Sequence, residues 1–290
     1  MHVDQAYARC LRDARDHYEN FPVASVLVPA AMRPHIAAVY AFARAADDFA
    51  DEGVRPAAQR LALLAAWRRR LYAAAASPTD TLPPIAGEPA HADAIFLALG
   101  TSIARLQLPV GCFDDLLTAF EQDVTVTRYE SWYDLLDYCR RSANPVGRLV
   151  LRIAGRIDQQ LDDWSDCVCT ALQLTNFWQD FSQDLARGRI YLPRDTQHRH
   201  GVSEDEIQVG PTPGWCDAVE DVVDRTRALF ERGKPLPAAV GGRLGLEIRA
   251  SWLGGMRILD HIEQRRFDVT TYRPSLGVGD AAWIAVRLFQ

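Results

Sequence analysis

Apolar residues recur at helical spacing along nearly the whole chain. The spacing predicts helices over residues 35–52, 57–76, 90–106, 110–125, 132–140, 146–156, 163–185, 215–231 and 243–264. Residues 77–89, which include four prolines, and residues 191–214 are expected to be irregular. Alternating patterns typical of strands are nearly absent. The pattern therefore predicts an all-α fold that forms a single domain over residues 1–290.

Two of these helices carry columns of polar side chains. The first column consists of Arg44, Asp47 and Asp51, and the second of Gln173, Asn176, Asp180 and Asp184. Residues three and four apart share one helix face, so each column directs oxygen atoms one way. Like charges at this spacing cost a helix roughly 0.2–0.5 kcal/mol per pair, a cost that a bound cation would offset. Ligands that are all oxygen suit Mg²⁺, which also takes ligands from water and phosphate.

Simpler interpretations exist for each column. Arg44 could pair with Asp48 at a solvated helix end, and Asp184 could form a surface ion pair with Arg187. The presence of both columns in one helical chain favours a site for metal and diphosphate. Arg187 and Arg189, which directly follow the second column, are suited to contact phosphate oxygens.

Composition and charge exclude several classes of protein. A net charge of -6 and a pI near 5.7 argue against a broad face that binds nucleic acid. The six cysteines include no CxxC pair, and the first thirty residues contain no signal-peptide hydrophobic stretch, so we expect a cytoplasmic protein with free thiols.

The apolar segment 281–289 has two interpretations, a last core-packing helix or a peripheral contact with the inner membrane. The glycines at 241–245 follow no predicted strand, which argues against a dinucleotide site.

Several motifs resemble those of the squalene/phytoene synthase family of head-to-head isoprenoid synthases. They are YAFARAADDFAD at 40–51, QLTNFWQDFSQD at 173–184, RGRIYLP at 187–193 and ILDHI at 258–262. The resemblance covers nearly the whole length. It implies an isoprenoid synthase helical bundle with a central apolar cavity and Mg²⁺ at its mouth.

The resemblance also implies residue roles. Metal ligands would be Asp47, Asp51, Asn176, Asp180 and Asp184. Diphosphate would be bound by Arg44, Gln173, Arg189 and Tyr191. Phe21 and Tyr138 would face the isoprenoid and its cationic intermediates. The four aspartates and Tyr138 would be the catalytic residues.

The segments ENFPVAS at 19–25 and RSANPVG at 141–147 resemble the bacterial hydroxysqualene synthase branch of hopanoid biosynthesis. That branch implies conversion of presqualene diphosphate and water to hydroxysqualene and diphosphate, with substrate transferred from a presqualene diphosphate synthase. Ser142 or Asn144 would then position the water. Three alternatives stay open: a condensing synthase acting on farnesyl or geranylgeranyl diphosphate, a non-catalytic assembly factor of the same fold, and a helical diphosphate hydrolase.

Overall fold

The computed structural model describes residues 1–16, 27–51, 55–79, 82–209 and 211–289. Within these ranges the regular structure consists of fifteen α-helices. The extended pairing recorded there is an isolated bridge between Arg128 and Ile190. The all-α fold is therefore confirmed.

Contacts between residues divide the chain into two compact units. The first unit contains Met1–Thr125 and Pro145–Gln159, and the second contains Val126–Asn144 and Gln160–Gln290. A single domain over residues 1–290 stays a prediction.

The first unit is built from long alanine-rich helices. They are α1 (Val3–Asp16), α2 (Arg33–Asp51), α3 (Ala57–Ala76), α4 (Ala92–Leu106), α5 (Val110–Thr125) and, from Pro145 onward, α7 (Asn144–Ile153). Helix α2 packs against α1, α3, α4 and α5, so it is the centre of this unit. The fully buried Trp67 of α3 donates its indole N–H to the Phe42 carbonyl of α2 at 3.2 Å. Helices α3 and α4 approach closely at Gly100, where a Cβ atom would lie 2.5 Å from the Ala74 carbonyl oxygen.

The second unit contains the remaining helices. They are α6 (Trp132–Ser142), α8 (Gln159–Gln179, from Gln160 onward), α9 (Phe181–Ala186), α10 (Arg194–Arg199), α11 (Glu204–Val209), α12 (Pro213–Gly233), α13 (Leu236–Val240), α14 (Gly242–Gln264) and α15 (Val278–Arg287). Helix α14 packs against α12, α13 and α15. Helix α6 begins with a capping box in which Ser131 and Asp134 satisfy each other's backbone N–H groups.

Helix positions follow the hydrophobic pattern closely, with four corrections, the first of which is α1 (Val3–Asp16), a helix that was not predicted. The bounds predicted for α3 and α5 are those observed. The helix predicted over 163–185 is instead divided at Asp180, where α8 ends and α9 begins. The region expected to be irregular contains α10 and α11, and α13 was also missed. Proline misled the prediction because it also starts helices: Pro193 is the N-cap of α10, and Pro213 lies in the first turn of α12.

Candidate active site

The first polar column lies on the side of α2 away from the core of the first unit. Phe42, Ala45, Ala46 and Phe49 are buried, whereas Arg44, Asp47 and Asp48 are partly exposed and Asp51 is exposed. One face of α2 thus serves packing and the other presents carboxylates, as the helical spacing predicts.

Arg44 bonds carboxylates of its own helix. Its Nη2 lies 2.8 Å from Asp48 Oδ1, and its Nη1 lies 3.4 Å from Asp47 Oδ2. The simpler interpretation of Arg44, a pair with Asp48, therefore describes the structure. Burial raises the pKa of Tyr40, one turn earlier, an effect that the Arg44 cation opposes. Diphosphate binding by Arg44 requires exchanging an internal ion pair for phosphate oxygens.

The second column remains aligned although its helix is interrupted. The backbone N–H of Asp180 donates to the Asn176 carbonyl at 2.8 Å, and that of Asp184 donates to the Asp180 carbonyl at 3.0 Å. These two i→i−4 bonds carry the helical phase across the break. The side chains of Asn176, Asp180 and Asp184 therefore stay on one face, as the sequence predicts, although α8 and α9 are separate helices.

Asp180, in the second column, contacts two side chains through its carboxylate. One of its oxygens accepts a hydrogen bond from Asn176 Nδ2 at 2.8 Å, and the other lies 2.5 Å from Arg273 Nε. Sequence reasoning missed Arg273, because it lies 93 residues further along the chain and belongs to no helix. The ion pair shows that Asp180 is placed to accept a positively charged partner.

The turn after α9 connects the second column to the following arginine. Gly188 adopts a φ of +79°, a conformation that favours glycine, and the Arg189 backbone N–H donates to the Asp184 carbonyl at 2.8 Å. Arg189 is partly buried, whereas Arg187 is exposed. Gln173 lies partly buried on α8, one turn before Asn176. Gln173 and Arg189, both expected to bind diphosphate, thus lie before and after the segment that contains Asn176, Asp180 and Asp184.

Four aromatic rings form a cluster in the second unit. The rings of Phe177 and Tyr191 stack with centroids 3.7 Å apart at an interplanar angle of 8°. Tyr138 lies 6.0 Å from Phe177, and Tyr129 lies 5.7 Å from Tyr138. All four side chains are buried. Tyr138 and Tyr191 were expected at the site, whereas Tyr129 and the role of Phe177 were missed. The adjacency of Phe177 to Asn176 in the sequence is the signal that could have indicated the latter.

Three consecutive residues of α8 occupy three different environments. Asn176 is exposed in the polar column, Phe177 belongs to the aromatic cluster, and Trp178 is buried, with its indole N–H 3.0 Å from Thr226 Oγ1 of α12. Successive helical residues diverge by about 100°, which separates the three side chains. One turn of helix thereby joins the polar column, the aromatic cluster and the packed interior of the second unit.

Ser142 and Asn144 differ in their hydrogen bonding. The Asn144 side-chain oxygen accepts a hydrogen bond from Thr170 Oγ1 of α8 at 2.8 Å. The hydroxyl oxygen of Ser142 is buried and has no hydrogen-bond partner among the residues that the structure describes. Ser142 lies four residues after Tyr138 on α6, so both residues share one helix face. A buried hydroxyl without a protein partner is a suitable site for an ordered water.

The predicted metal ligands are divided between the two units. Asp47 and Asp51 belong to the first, and Asn176, Asp180 and Asp184 belong to the second. Within the described ranges, no three His, Cys, Asp or Glu side chains form a group that could hold a metal ion. The donor chemistry fits Mg²⁺, because carboxylate and amide oxygens are the ligands of a hard cation. Phe21 lies outside the described residues, so its expected contact with the isoprenoid stays a prediction.

Comparison with known proteins identifies the family. The family model described as squalene/phytoene synthase matches residues 14–279. The chain belongs to the squalene/phytoene synthase family. The crystal structure of squalene synthase HpnC from Alicyclobacillus acidocaldarius is similar with a TM-score of 0.83 and 39% identity, over 92% of this chain and 96% of that one. The family processes isoprenoid diphosphates, so the chain is an enzyme of this type, and the resemblance seen in its motifs is confirmed.

Curated relatives in the family include hydroxysqualene synthases. The chain is 37% identical to the enzyme of Zymomonas mobilis over 233 residues, which cover 79% of this chain and 74% of that protein. It is 34% identical to the enzyme of Rhodopseudomonas palustris over 261 residues, covering 88% and 83%. Both identities extend over most of each chain.

Two other expectations concern cofactors and membranes. Gly241 joins α13 to α14, whereas Gly242 and Gly245 lie in α14. The element before these glycines is the helix α13, whereas a dinucleotide-binding turn follows a strand. No helix in the described part of the chain has the length and apolar character needed to cross a bilayer. All six cysteines are free thiols.

Proposed function

We propose that this enzyme converts presqualene diphosphate and water into hydroxysqualene and diphosphate, as part of squalene and hopanoid biosynthesis. Similarity to hydroxysqualene synthases at 34% and 37% identity supports the choice of reaction. The observation that carries the proposal is the buried Ser142 hydroxyl, which has no hydrogen-bond partner among the described residues and lies on the same helix face as Tyr138. This arrangement provides for the step that distinguishes the reaction, capture of a carbocation by water.

In this proposal the polar columns bind the diphosphate end of the substrate. Each column would hold Mg²⁺ through its own oxygen ligands, Asp47 and Asp51 in the first and Asn176, Asp180 and Asp184 in the second, and the metal would supply positive charge to the departing diphosphate. Arg44, Gln173 and Arg189 would contact phosphate oxygens directly. Arg44 exchanges its pairs with Asp47 and Asp48 for the ligand, while guanidinium groups suit the geometry of phosphate.

The aromatic cluster would stabilise the carbocation. When the carbon–oxygen bond breaks, the electron pair leaves with diphosphate and a cyclopropylcarbinyl cation remains. The face of an aromatic ring attracts a cation by about 2 kcal/mol when water is excluded. Tyr138 and Phe177 are buried neighbours, so their rings can face the cation while it rearranges, and Tyr191, expected to bind diphosphate, stacks on Phe177 and holds that ring in place.

Ser142 would then orient the water. The water oxygen forms a bond to the rearranged cation and releases a proton, which gives the neutral alcohol. Of the two residues expected to serve this purpose, Ser142 is the better placed, because the side-chain oxygen of Asn144 already accepts a hydrogen bond from Thr170. In this proposal Asn144 has a structural role, because its hydrogen bond with Thr170 fixes the segment that follows α6.

The test is a product assay with purified protein and Mg²⁺. Presqualene diphosphate and farnesyl diphosphate are incubated separately, and the lipid products are identified by mass spectrometry. We expect hydroxysqualene from presqualene diphosphate and no product from farnesyl diphosphate alone. An Asp180→Asn variant, assayed in parallel, controls for a contaminating synthase. Presqualene diphosphate or a longer hydrocarbon made from an allylic diphosphate would refute the proposal and indicate a condensing synthase.

A coupled assay tests the supply of substrate. Presqualene diphosphate is a labile, amphipathic intermediate, so we propose that a presqualene diphosphate synthase transfers it to this enzyme. Isotope dilution measures transfer: the presqualene diphosphate synthase receives labelled farnesyl diphosphate while unlabelled presqualene diphosphate is added to the solution. Hydroxysqualene that keeps the full label supports direct transfer, whereas label diluted in proportion to the added pool shows that the intermediate passes through solution.

A further inference from the structure

Helix α15 has an unusual distribution of apolar residues. A helix on a protein surface normally directs its polar residues to solvent. In α15 and the two residues after it, the solvent-exposed face contains Val278, Ala281, Ala282, Ala285, Val286 and Phe289. At about 100° per residue, these positions fall within one continuous sector of the helix. Val278 is 90% exposed, Phe289 is 78% exposed and Val286 is 63% exposed.

The opposite side of α15 fixes this orientation. The buried carboxylate of Asp280 lies 2.6 Å from Arg257 Nε and 3.1 Å from His261 Nε2, both on α14. Trp283 packs beneath the guanidinium of Arg257, whose Cζ lies 5.4 Å from the ring centroid, and Arg287 covers the same ring at 4.1 Å. Rotation of α15 would break these contacts. The charged residues of the helix are therefore held inward and its apolar face outward.

We propose that the apolar face of α15 docks the protein onto the surface of a lipid bilayer. The face contains no charged side chain, so its transfer into the acyl boundary desolvates no ion. A second copy of the chain is the alternative occupant. A helix of ten residues is about 15 Å long, and its exposed apolar side chains offer a strip on the order of 400 Å². A stable protein interface buries about 800 Å² on each partner, so this strip is too small to hold a dimer by itself.

A bilayer accepts such a strip because it requires no matching shape. Half-inserted apolar helices bind reversibly, with an affinity that increases with the apolar area buried. The face is uncharged, so docking is expected on zwitterionic as well as anionic vesicles, with little dependence on salt. This inference does not rest on the proposed reaction, since binding is measured without substrate.

The experiment is co-sedimentation of the full chain with vesicles, either of phosphatidylcholine alone or of equal parts phosphatidylcholine and phosphatidylglycerol. We expect wild-type protein to bind both. Phe289→Glu and Val286→Glu should each reduce the bound-to-free ratio by about tenfold or more. Ile157→Glu is the matched control, because Ile157 is 82% exposed and lies in the first unit, and it should bind as wild type does.

Circular dichroism and thermal unfolding establish that each variant is folded. The proposal is overturned if wild-type protein stays in the supernatant, or if Phe289→Glu binds vesicles as well as Ile157→Glu does. It is also overturned if light scattering shows a wild-type dimer that Phe289→Glu dissociates while vesicle binding is absent. That result would assign the face to a second copy.

Discussion

Replacing Ser142 with alanine should affect stability and product yield in opposite directions. The substitution removes one oxygen atom, which is buried and has no partner among the described residues. A buried hydroxyl without a hydrogen bond costs about 1–3 kcal/mol. An ordered water would recover part of that cost, so we expect Ser142→Ala to raise the free energy of unfolding by about 1 kcal/mol. For a chain of this size, that change increases Tm by about 2 °C.

The same substitution should reduce the yield of hydroxysqualene. Loss of one hydrogen bond that orients the attacking water is expected to lower the rate of its formation by about tenfold, equivalent to about 1.4 kcal/mol. The cation would then partition to deprotonated hydrocarbons, which mass spectrometry detects. Consumption of presqualene diphosphate should change little, because ionisation precedes water attack.

Ser102→Ala is the matched control for the stability measurement. The fully buried Ser102 hydroxyl lies 2.9 Å from both Tyr7 Oη and His35 Nδ1, and it donates to the Ala98 carbonyl at 2.8 Å. Its removal should lower the free energy of unfolding by about 1–3 kcal/mol. If Ser142→Ala destabilises the protein as Ser102→Ala does, the Ser142 hydroxyl has a hydrogen-bond partner in the folded protein. If hydroxysqualene yield is unchanged, Ser142 does not position the water.

Three further predictions concern other contacts. Phe177→Leu removes the ring stacked on Tyr191, so kcat should fall about five- to thirtyfold in steady-state assays, the equivalent of about 1–2 kcal/mol of cation–π stabilisation. Arg273→Gln removes a cation that competes for Asp180, so a Mg²⁺ titration should show half-maximal activity at about two- to fivefold lower concentration, and stability should change by less than about 1 kcal/mol. Hydrogen bonds from the Gly277 backbone N–H and from Arg257 lower the pKa of Asp280 to about 2, from an ordinary 3.8. The stability difference between wild type and Asp280→Asn should therefore be full above pH 3.8 and disappear as pH falls through about 2, as followed by thermal unfolding.

Each of these predictions has a control or a contrary result. Phe181→Leu changes a buried ring outside the aromatic cluster, so an equal loss of kcat in both variants would contradict a specific role for Phe177. Arg199→Gln breaks a similarly exposed pair with Asp221 and should leave the Mg²⁺ requirement unchanged. A higher Mg²⁺ requirement in Arg273→Gln would show that Arg273 assists metal or diphosphate binding. A stability difference for Asp280→Asn that persists at pH 2 would mean that the carboxylate's charge is not what holds α15.

Local spacing explains why much of the fold was predictable. Helix α3 is rich in alanine and leucine, and its bounds follow from periodicity and flanking prolines. The break at Asp180 was not predictable in this way, since the polar column continues in phase through it. The pattern on either side is helical, and only the backbone geometry at one residue separates α8 from α9.

The candidate site likewise contains residues that a local sequence pattern predicts and residues that it does not. Asn176, Asp180 and Asp184 were predictable because they are neighbours on one helical face. The stack of Phe177 on Tyr191 and the ion pair of Arg273 with Asp180 join residues distant in the chain, so no local pattern indicates them. Whether the Ser142 hydroxyl has a hydrogen-bond partner depends on the side chains around it, which a sequence motif does not specify; within the described ranges it has none.

The arrangement of Asn176, Phe177 and Trp178 has a consequence for how this half of the site is preorganised. Trp178 is fixed by burial and by its hydrogen bond to Thr226, so packing energy sets the rotation of α8 before any ligand arrives. The polar column and the ring of Phe177 inherit that rotation. Insertion of one residue after Trp178 would turn the following carboxylates by about 100° while leaving Asn176 in place. In an enzyme built on this turn, a substitution leaves the directions of the three side chains unchanged, whereas the insertion or deletion of one residue alters them.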